Sequence, residues 1–139
     1  MDTKLPAKPR PRIDTINRGF WENCRKGVLS IQTCDDCSHR HYPGTPVCPN
    51  CLSSKQSWQP VSGQGTLLSW VRFHRAYWDS FRDDLPYAVC LVGLAEGPMM
   101  ISNLVDTDPE TLPIGSALQV VFDQVDETLT LPKFKPLKT

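Results

Sequence analysis

Two pairs of cysteines constrain the fold of this chain more than any other feature of its sequence. Each pair encloses two residues, as CDDC and CPNC, and ten residues separate the pairs. A two-residue spacer lets both sulfurs of a pair face one centre, and two such pairs supply four thiolates in a tetrahedron. The spacing therefore predicts a zinc ribbon with one structural Zn²⁺ ion, whose ligands are Cys34, Cys37, Cys48 and Cys51.

A site with four cysteine ligands has no open coordination position, so the predicted ion holds structure and does not activate water. Residues 28–61 are too few to bury an adequate core, and metal ligation typically supplies on the order of 10 kcal/mol in zinc-finger peptides. Two redox-active dithiols would need a βαβ setting that the sequence lacks. Spacing alone does not separate zinc from iron in a four-sulfur site.

Four other residues resemble ligands or nucleophiles in type but not in context. His39 and His41 follow the first cysteine pair, where a complete set of four thiolates favours exposed or packing histidines. Cys24 and Cys90 fall in a predicted helix and a predicted core strand, where a small buried apolar role is the usual one. We therefore predict that none of the four binds metal or attacks a substrate.

The charge balance excludes some classes of partner. Fifteen basic residues match fifteen acidic ones, whereas a dedicated nucleic-acid binder usually has a basic excess and a membrane-surface protein a basic patch. The N-terminal stretch MDTKLPAKPRPRID has no apolar run of the secretory type, and the apolar stretch 87–95 is too short to cross a bilayer. We expect a cytoplasmic protein without membrane contact.

The chain divides into four predicted parts. Residues 1–12 hold three prolines and four basic residues and are predicted to form a flexible arm. Residues 13–27 have apolar side chains at helical spacing, with Asp14 or Thr15 as the cap and Gly27 as the stop. Residues 28–61 are assigned to the zinc ribbon, and residues 62–139 to a second domain.

The second domain is predicted to be an all-β structure. Strands are expected near residues 64–74, 87–94, 99–105, 118–125 and 128–131, separated by turns. Five strands in about 70 residues fit a partly open OB-fold barrel, and a small β-sandwich fits the pattern nearly as well. The expected fold class is therefore mainly β with an N-terminal helix, a rubredoxin-like zinc ribbon and a five-stranded OB-fold barrel.

Residues 72–82 are predicted to be the most interactive surface. Aromatic residues alternate with arginines there, and such side chains concentrate binding energy at interfaces. Packing of the loop on its own barrel, or contact of the arginines with CoA phosphates, are the alternatives. A similar choice between a phosphate clamp and a solvated tail applies to the lysines around Phe134, including Lys138. The hypothetical partner- or CoA-contacting residues are Phe20, Trp21, Arg72, His74, Arg75, Tyr77, Trp78, Arg82, Lys133 and Lys135.

No catalytic set is evident in the sequence. We find neither a Ser-His-Asp or Cys-His signature nor a Gly-rich phosphate loop. Gly63-Gln64-Gly65 is too short to cradle a diphosphate and is expected to be a turn that opens the barrel. His74 could exchange protons at neutral pH, but the sequence supplies no residue to orient it.

The order of segments FWENCRKG, VLSIQTCDDCSHRHYP, VCPNCLS, SGQGTLLSWVRFHR, PYAVCLVGL, ISNLVD, IGSALQVVF and LPKFKP resembles one family. This is the acyl-CoA-associated family of zinc-ribbon plus OB-fold proteins, long labelled a domain of unknown function. The resemblance runs from about Ile13 to Pro136, and the basic arm lies outside it.

The resemblance implies a non-catalytic accessory subunit that binds a thiolase-fold enzyme, such as a thiolase or a steroid side-chain aldolase. It further implies a heteromer, often of two catalytic and two accessory chains, with the helix and ribbon against the partner and the barrel near the CoA entrance. A single-stranded nucleic-acid module and a free-standing acyl-CoA binder are the alternatives.

Overall fold

In the computed structural model, which describes residues 7–137, one α-helix precedes eight β-strands. The elements are α1 (Arg18–Arg25), β1 (Ser30–Cys34), β2 (Arg40–His41), β3 (Gln56–Pro60), β4 (Gln64–Phe73), β5 (Tyr87–Leu94), β6 (Met99–Leu104), β7 (Ala117–Gln124) and β8 (Thr130–Pro136). Two short 3₁₀ segments, Asp79–Asp84 and Pro109–Thr111, lie in the connections. The described part of the chain has no helix long and apolar enough to span a membrane.

Helix α1 is shorter than the predicted span 13–27. Asp14 caps a turn that precedes the helix: its Oδ1 accepts the amides of Ile16 and Asn17, each at 2.9 Å. This side chain therefore satisfies backbone donors one turn earlier than the regular helix begins.

The predicted stop at Gly27 is confirmed. Gly27 has φ +75°, a conformation that glycine adopts without the steric cost of a Cβ. Its amide donates to the carbonyl of Cys24 at 3.0 Å, and the next amide, of Val28, donates to Asn23 at 2.9 Å. This pair of bonds is the Schellman arrangement, and it turns the chain directly into the ribbon.

The ribbon is a three-stranded antiparallel sheet in the order β2-β1-β3. Its apolar side packs on α1, so that Phe20 and Cys24 of the helix join Leu29 and Ile31 in a buried cluster. That cluster is continuous with the barrel interior, and α1 contacts β8 as well as β1. The helix is therefore wedged between the ribbon and the barrel.

Trp58, on β3, fixes the ribbon against α1. The indole Nε1 donates to the carbonyl of Ile16 at 2.9 Å. The ring lies in a slot between two glycines: a Cβ on Gly19 would approach it to 2.6 Å, and a Cβ on Gly44 would also approach it to 2.6 Å. Only residues without a side chain leave room for the indole at these two positions.

The predicted OB-type barrel is confirmed as a closed barrel of five strands, in the order β4-β5-β6-β8-β7. The β-sandwich, which the pattern also allowed, is not the fold. Strand β5 alternates strictly between half-buried and buried positions, as expected for a strand with one face inside. Leu67, Val92, Leu118 and Phe134 are each 0% exposed in the barrel interior.

The last strand is longer than the predicted segment 128–131. Strand β8 extends from Thr130 to Pro136 and pairs with β7 along its whole length. Of the two alternatives for this segment, a solvated tail does not describe residues 130–136, because the strand is paired and Phe134 is fully buried. Proline is tolerated here because a single residue pair, Leu104 with Phe134, joins β8 to β6.

The predicted arm is described from Ala7 onward, and residues 1–6 and 138–139, including Lys138, lie outside the described residues. Residues 7–12 form neither helix nor strand. They nevertheless lie against the barrel, because Lys8 forms an ion pair with Asp84 and Arg10 forms one with Asp126.

Candidate functional site

The four predicted metal ligands come together at the tip of the ribbon. One sulfur atom from each of Cys34, Cys37, Cys48 and Cys51 lies within 4.8 Å of all the others. The Sγ atoms of Cys34 and Cys51 are 3.5 Å apart, and those of Cys37 and Cys48 are 3.6 Å apart. A tetrahedral zinc–thiolate site with Zn–S bonds of about 2.3 Å has S–S edges of about 3.8 Å. The sulfurs are therefore arranged to bind one metal ion.

Backbone and side-chain donors surround these sulfurs. The amide of Cys37 points at Sγ of Cys34, and the amide of Asn50 points at Sγ of Cys48, each at 3.4 Å. The side-chain amide of Asn50 donates to Sγ of Cys37 at 3.6 Å. Donors of this kind stabilise the thiolate form that a metal requires.

The same donors set the ionisation of the cluster. The Asn50 side chain, followed by the His39 amide, lowers the pKa of Cys37 to about 6. At Cys51 the Ser53 amide lowers the pKa, but the neighbouring thiol of Cys34, burial and the remaining thiols outweigh it and raise the pKa to about 12. Four thiols at this separation are therefore not all deprotonated at the same time unless a cation lies between them.

A polar network holds the ribbon strands behind the sulfurs. His41 is buried, and its Nε2 is 2.5 Å from Oε1 of Gln56, whose Nε2 in turn donates to the carbonyl of Thr45 at 2.9 Å. The amide of Thr45 donates to Oε1 of Gln32 at 2.8 Å. His41 therefore has a packing role, as predicted, and His39 stacks on it with 5.8 Å between ring centroids.

The two remaining cysteines are inert core residues. Cys24 and Cys90 are at most 1% exposed. Burial raises the pKa of Cys24 to about 12 and that of Cys90 to about 11, so neither is a thiolate at neutral pH. This confirms the predicted apolar role.

The segment that follows β4 exposes two large aromatic side chains. Tyr77 is 65% exposed and Trp78 is 59% exposed. Tyr77 packs edge-on to Phe73, and Trp78 packs edge-on to Phe81, so each exposed ring has one aromatic neighbour. Arg75 lies over the ring of Tyr77 at 5.5 Å, and His74 beside it is exposed.

Three of the singled-out basic residues are already paired with carboxylates. Arg72 donates to Asp108 at 2.7 Å and to Glu110 at 3.4 Å, with only 24% of its side chain exposed. The two other pairs are Arg82 with Asp79 and Lys133 with Asp123. Within residues 7–137 no ion pair involves Arg75 or Lys135, the latter half-buried on β8.

The two helix residues differ in exposure. Phe20 is 2% exposed and packs against Trp21, Tyr42 and Trp58, so the chain itself covers the large apolar face of α1. Trp21 is half-buried and keeps part of its surface free. Phe20 therefore offers no surface to a partner, because its contacts are internal.

Comparison with known proteins connects this architecture to a family. A family model described as "ChsH2, rubredoxin-like zinc ribbon domain" matches residues 21–55, and one described as "ChsH2, C-terminal OB-fold domain" matches residues 58–123. A "DUF35 domain-containing scaffold protein" of Methanothermobacter thermautotrophicus is 34% identical over 100 residues, which are 71% of this chain and 74% of the relative. The chain belongs to the DUF35 family.

Another relative carries a module like this DUF35 chain inside a longer protein. A "Probable enoyl-CoA hydratase alpha subunit" of Thermomonospora curvata is 33% identical over 129 residues, which are 93% of this chain and 40% of the relative. The chain thus spans less than half the length of that subunit. Among solved structures, a chain of the "Ltp2-ChsH2(DUF35) aldolase" matches with a TM-score of 0.83 and 33% identity, over 91% of this chain and 98% of that one.

Two elements of this DUF35 site were missed at the level of sequence. One is the slot for Trp58, since Gly19 and Gly44 are 25 positions apart and carry no signal of a shared contact. The other is the carboxylate pair that holds Arg72, which comes from a connection predicted only to be polar. A surplus of acids in that connection, Asp106 to Glu110, was the available signal.

Proposed function

We propose that this DUF35 chain is a non-catalytic accessory subunit of an acyl-CoA-processing enzyme. Its partner in this proposal is a thiolase-fold subunit that makes or breaks a carbon–carbon bond by a thiolytic or retro-aldol reaction. The observation that carries the proposal is the likeness to nearly the whole of a chain from an aldolase named for two components, at 33% identity and a TM-score of 0.83. The relatives named scaffold proteins support a role without catalysis.

The proposed assembly is a heteromer of two catalytic and two accessory chains, with acyl-CoA at the shared interface. The catalytic residues lie on the partner in this proposal. The ribbon and the barrel of this chain hold the partner in shape and complete the walls of its CoA channel.

We assign a single structural zinc ion to the four-cysteine site. Four soft thiolate ligands at tetrahedral spacing suit zinc, and the match to a zinc-ribbon family model supports the assignment. Bound zinc supplies a rigid cross-link between the two halves of the ribbon. Because the site has no open position, its effect on the partner passes through the position of α1 and the barrel.

We assign the main protein anchor to Tyr77 and Trp78. Aromatic side chains have few rotatable bonds and therefore lose little conformational freedom on binding, and each of these two also contacts a neighbouring ring. His74 and Arg75, which are adjacent in sequence, extend this surface in the proposal, and Trp21 on α1 is a separate proposed contact. We assign direct contacts with CoA phosphates to Arg75 and Lys135. The other basic residues, Arg72, Arg82 and Lys133, would first have to give up a carboxylate partner before they could bind a phosphate.

Co-expression with a thiolase-fold chain encoded beside this one tests the proposal. The pair is expected to co-purify as a stable heteromer with acyl-CoA turnover, and this chain alone is expected to have none. Trp78→Ala should weaken the complex by about tenfold or more, the range of interface hot spots. Ile114→Ala is the matched control, because Ile114 is 60% exposed but lies in another connection.

Three results would contradict the proposal. One is a stable monomer that ignores every thiolase-fold chain offered to it. A second is equal weakening by the Trp78 and Ile114 variants, which would remove the assigned anchor. A third is salt-dependent binding of single-stranded DNA at micromolar protein, which would favour the nucleic-acid alternative instead.

A further inference from the structure

A groove of about 1180 Å³ lies between the N-terminal arm and the barrel, and most of its surface is apolar. Residues 7–11 line one side of it. The barrel side is formed by the end of the first 3₁₀ segment, the start of β5, the end of β6 with the connection that follows it, and the β7–β8 hairpin. Tyr87, Leu104 and Leu131 are among its residues. The arm thus lies along an apolar surface that is separate from the metal site.

Aromatic and proline side chains form one end of this groove. Phe81 and Tyr87 both line it, with 5.9 Å between their ring centroids, and Pro86 lies beside them. Nζ of Lys8 lies 5.4 Å from the centroid of the Phe81 ring. Grooves walled by aromatic rings are the usual receptors for proline-rich segments, because flat rings pack against the pyrrolidine faces of an extended chain.

Two carboxylates hold basic residues of the arm against the barrel. Lys8 is paired with Asp84 at the aromatic end. Arg10 donates to both carboxylate oxygens of Asp126, at 2.7 and 3.4 Å, and to the hydroxyl of Thr128 at 2.9 Å. These contacts join residues 116 and 118 positions apart in the sequence. The two cations fix the register of the arm along the groove.

The sequence of the arm suits this mode of contact. Lys8, Arg10 and Arg12 alternate with Pro9 and Pro11. Proline has no backbone N–H, so this segment cannot add a regular strand to the barrel. Within the described residues, no backbone hydrogen bond joins residues 7–11 to the barrel. The ion pairs of Lys8 and Arg10 and the contact of Lys8 with the Phe81 ring, rather than strand pairing, therefore hold the arm.

We propose that the barrel wall of this groove is a recognition site for a basic, proline-spaced segment, and that residues 7–11, which form the opposite wall, cover it in cis. The arm is then an intramolecular ligand that keeps the groove closed to similar segments of other chains. A cis ligand on a short tether has an effective concentration in the millimolar range, so it excludes weak competitors while it stays attached. Exposed ion pairs are weak and screened by salt, which makes the closed state reversible.

The test uses the full chain with zinc bound and a synthetic peptide of residues 5–13, LPAKPRPRI. The double variant Lys8→Glu/Arg10→Glu should release the arm and shift the backbone amide resonances of residues 81–87 and 126–129. Added peptide should bind this variant about tenfold more tightly than the wild type, where the arm competes, and return those resonances toward their wild-type positions. Arg12→Glu is the control for charge reversal, because it reverses one basic residue of the same arm outside the groove.

One further peptide and one further variant separate the possible results. If the groove recognises the proline spacing, a peptide with Pro9→Ala and Pro11→Ala should bind several-fold more weakly than the unchanged peptide. Equal binding of the two peptides would mean that the groove recognises only the basic charges. Adding Asp84→Lys to the released variant should abolish binding, and retained binding would overturn the proposed site. If the amide resonances of residues 81–87 and 126–129 are unchanged in the Lys8→Glu/Arg10→Glu variant, the arm does not cover the groove. If the wild type forms dimers and the Lys8→Glu/Arg10→Glu variant does not, the arm covers the groove of a second copy instead of its own.

Discussion

Replacing Gly19 by alanine sets two ordinary effects against each other. Gly19 lies inside α1, where glycine is the least favourable residue other than proline, and alanine there should stabilise the helix by about 1 kcal/mol. The slot for Trp58 opposes this, since a Cβ on Gly19 would lie 2.6 Å from Cδ1 and 3.2 Å from Cγ of the indole. The indole ring cannot easily move away from the added methyl group. Gly44 closes the other side of the slot, and the bond from Nε1 to the Ile16 carbonyl fixes the ring.

Overpacking of a well-packed site costs about 1–3 kcal/mol, which exceeds the gain from helix propensity. We therefore expect Gly19→Ala to destabilise the zinc-loaded protein by about 0–2 kcal/mol. In a Trp58→Leu background the obstruction is gone, and the same substitution should become stabilising by up to about 1 kcal/mol. The change of sign between the two backgrounds is the signature of the slot, and a double-mutant cycle isolates it from other effects.

Denaturant unfolding followed by far-UV circular dichroism measures all four proteins of this cycle, since tryptophan fluorescence changes when Trp58 is replaced. Glu22→Ala on the exposed side of α1 is the control and should shift stability by no more than about 0.5 kcal/mol. Stabilisation of about 1 kcal/mol by Gly19→Ala in both backgrounds would refute the reasoning. In that case the indole moves freely, and the two glycines are not needed for its position.

Three other predictions concern the metal site, the first barrel strand and the arm. Cys37→Ser should lower zinc affinity, measured by chelator competition, and abolish the partner's activity through loss of the complex; normal binding of the partner with failed turnover would assign zinc a more direct role. Gly63→Ala should destabilise the protein by about 2 kcal/mol or more in thermal unfolding, because Gly63 has φ +78° and a Cβ there would lie 2.3 Å from a β7 side chain. Gly97→Ala, with φ +119° but no neighbour within 4 Å of its Cβ, should cost less. Arg10, followed by donors in the β7–β8 turn, lowers the pKa of Asp126. The ion pair therefore stabilises the docked arm fully above the ordinary aspartate pKa of about 4, and the arm is released only as the pH falls below that value. An amide-resonance titration measures this, and release of the arm at pH 5–6 would contradict the assignment.

The sequence predicted those parts of the molecule whose structure depends on residues close together in the chain. Paired cysteines, the stop at Gly27 and the apolar strand β5 each depend on spacing or composition within a few residues, and each appears where it was expected. The slot for Trp58 depends on glycines from two distant segments, which only the folded chain brings together. Strand β8 was underestimated for a related reason. Its prolines argue against a strand locally, whereas the burial of Phe134 and the long partner strand β7 outweigh that preference in the barrel.

The pairing of charges bears most directly on how this chain can recognise a partner. A neutral total could arise from unpaired cations and anions on separate faces, or from cations that are each matched nearby. The structure has the second pattern at five basic residues, which are Lys8, Arg10, Arg72, Arg82 and Lys133. A polyanion, whether CoA or nucleic acid, would have to displace carboxylates from these cations, and that exchange offsets much of the attraction. The exposed rings of Tyr77 and Trp78 face no such competition. Binding of a partner protein should therefore depend on apolar contact and change little between low and moderate salt, whereas a steep loss of affinity with salt would mean that these ion pairs open and the cations carry the recognition.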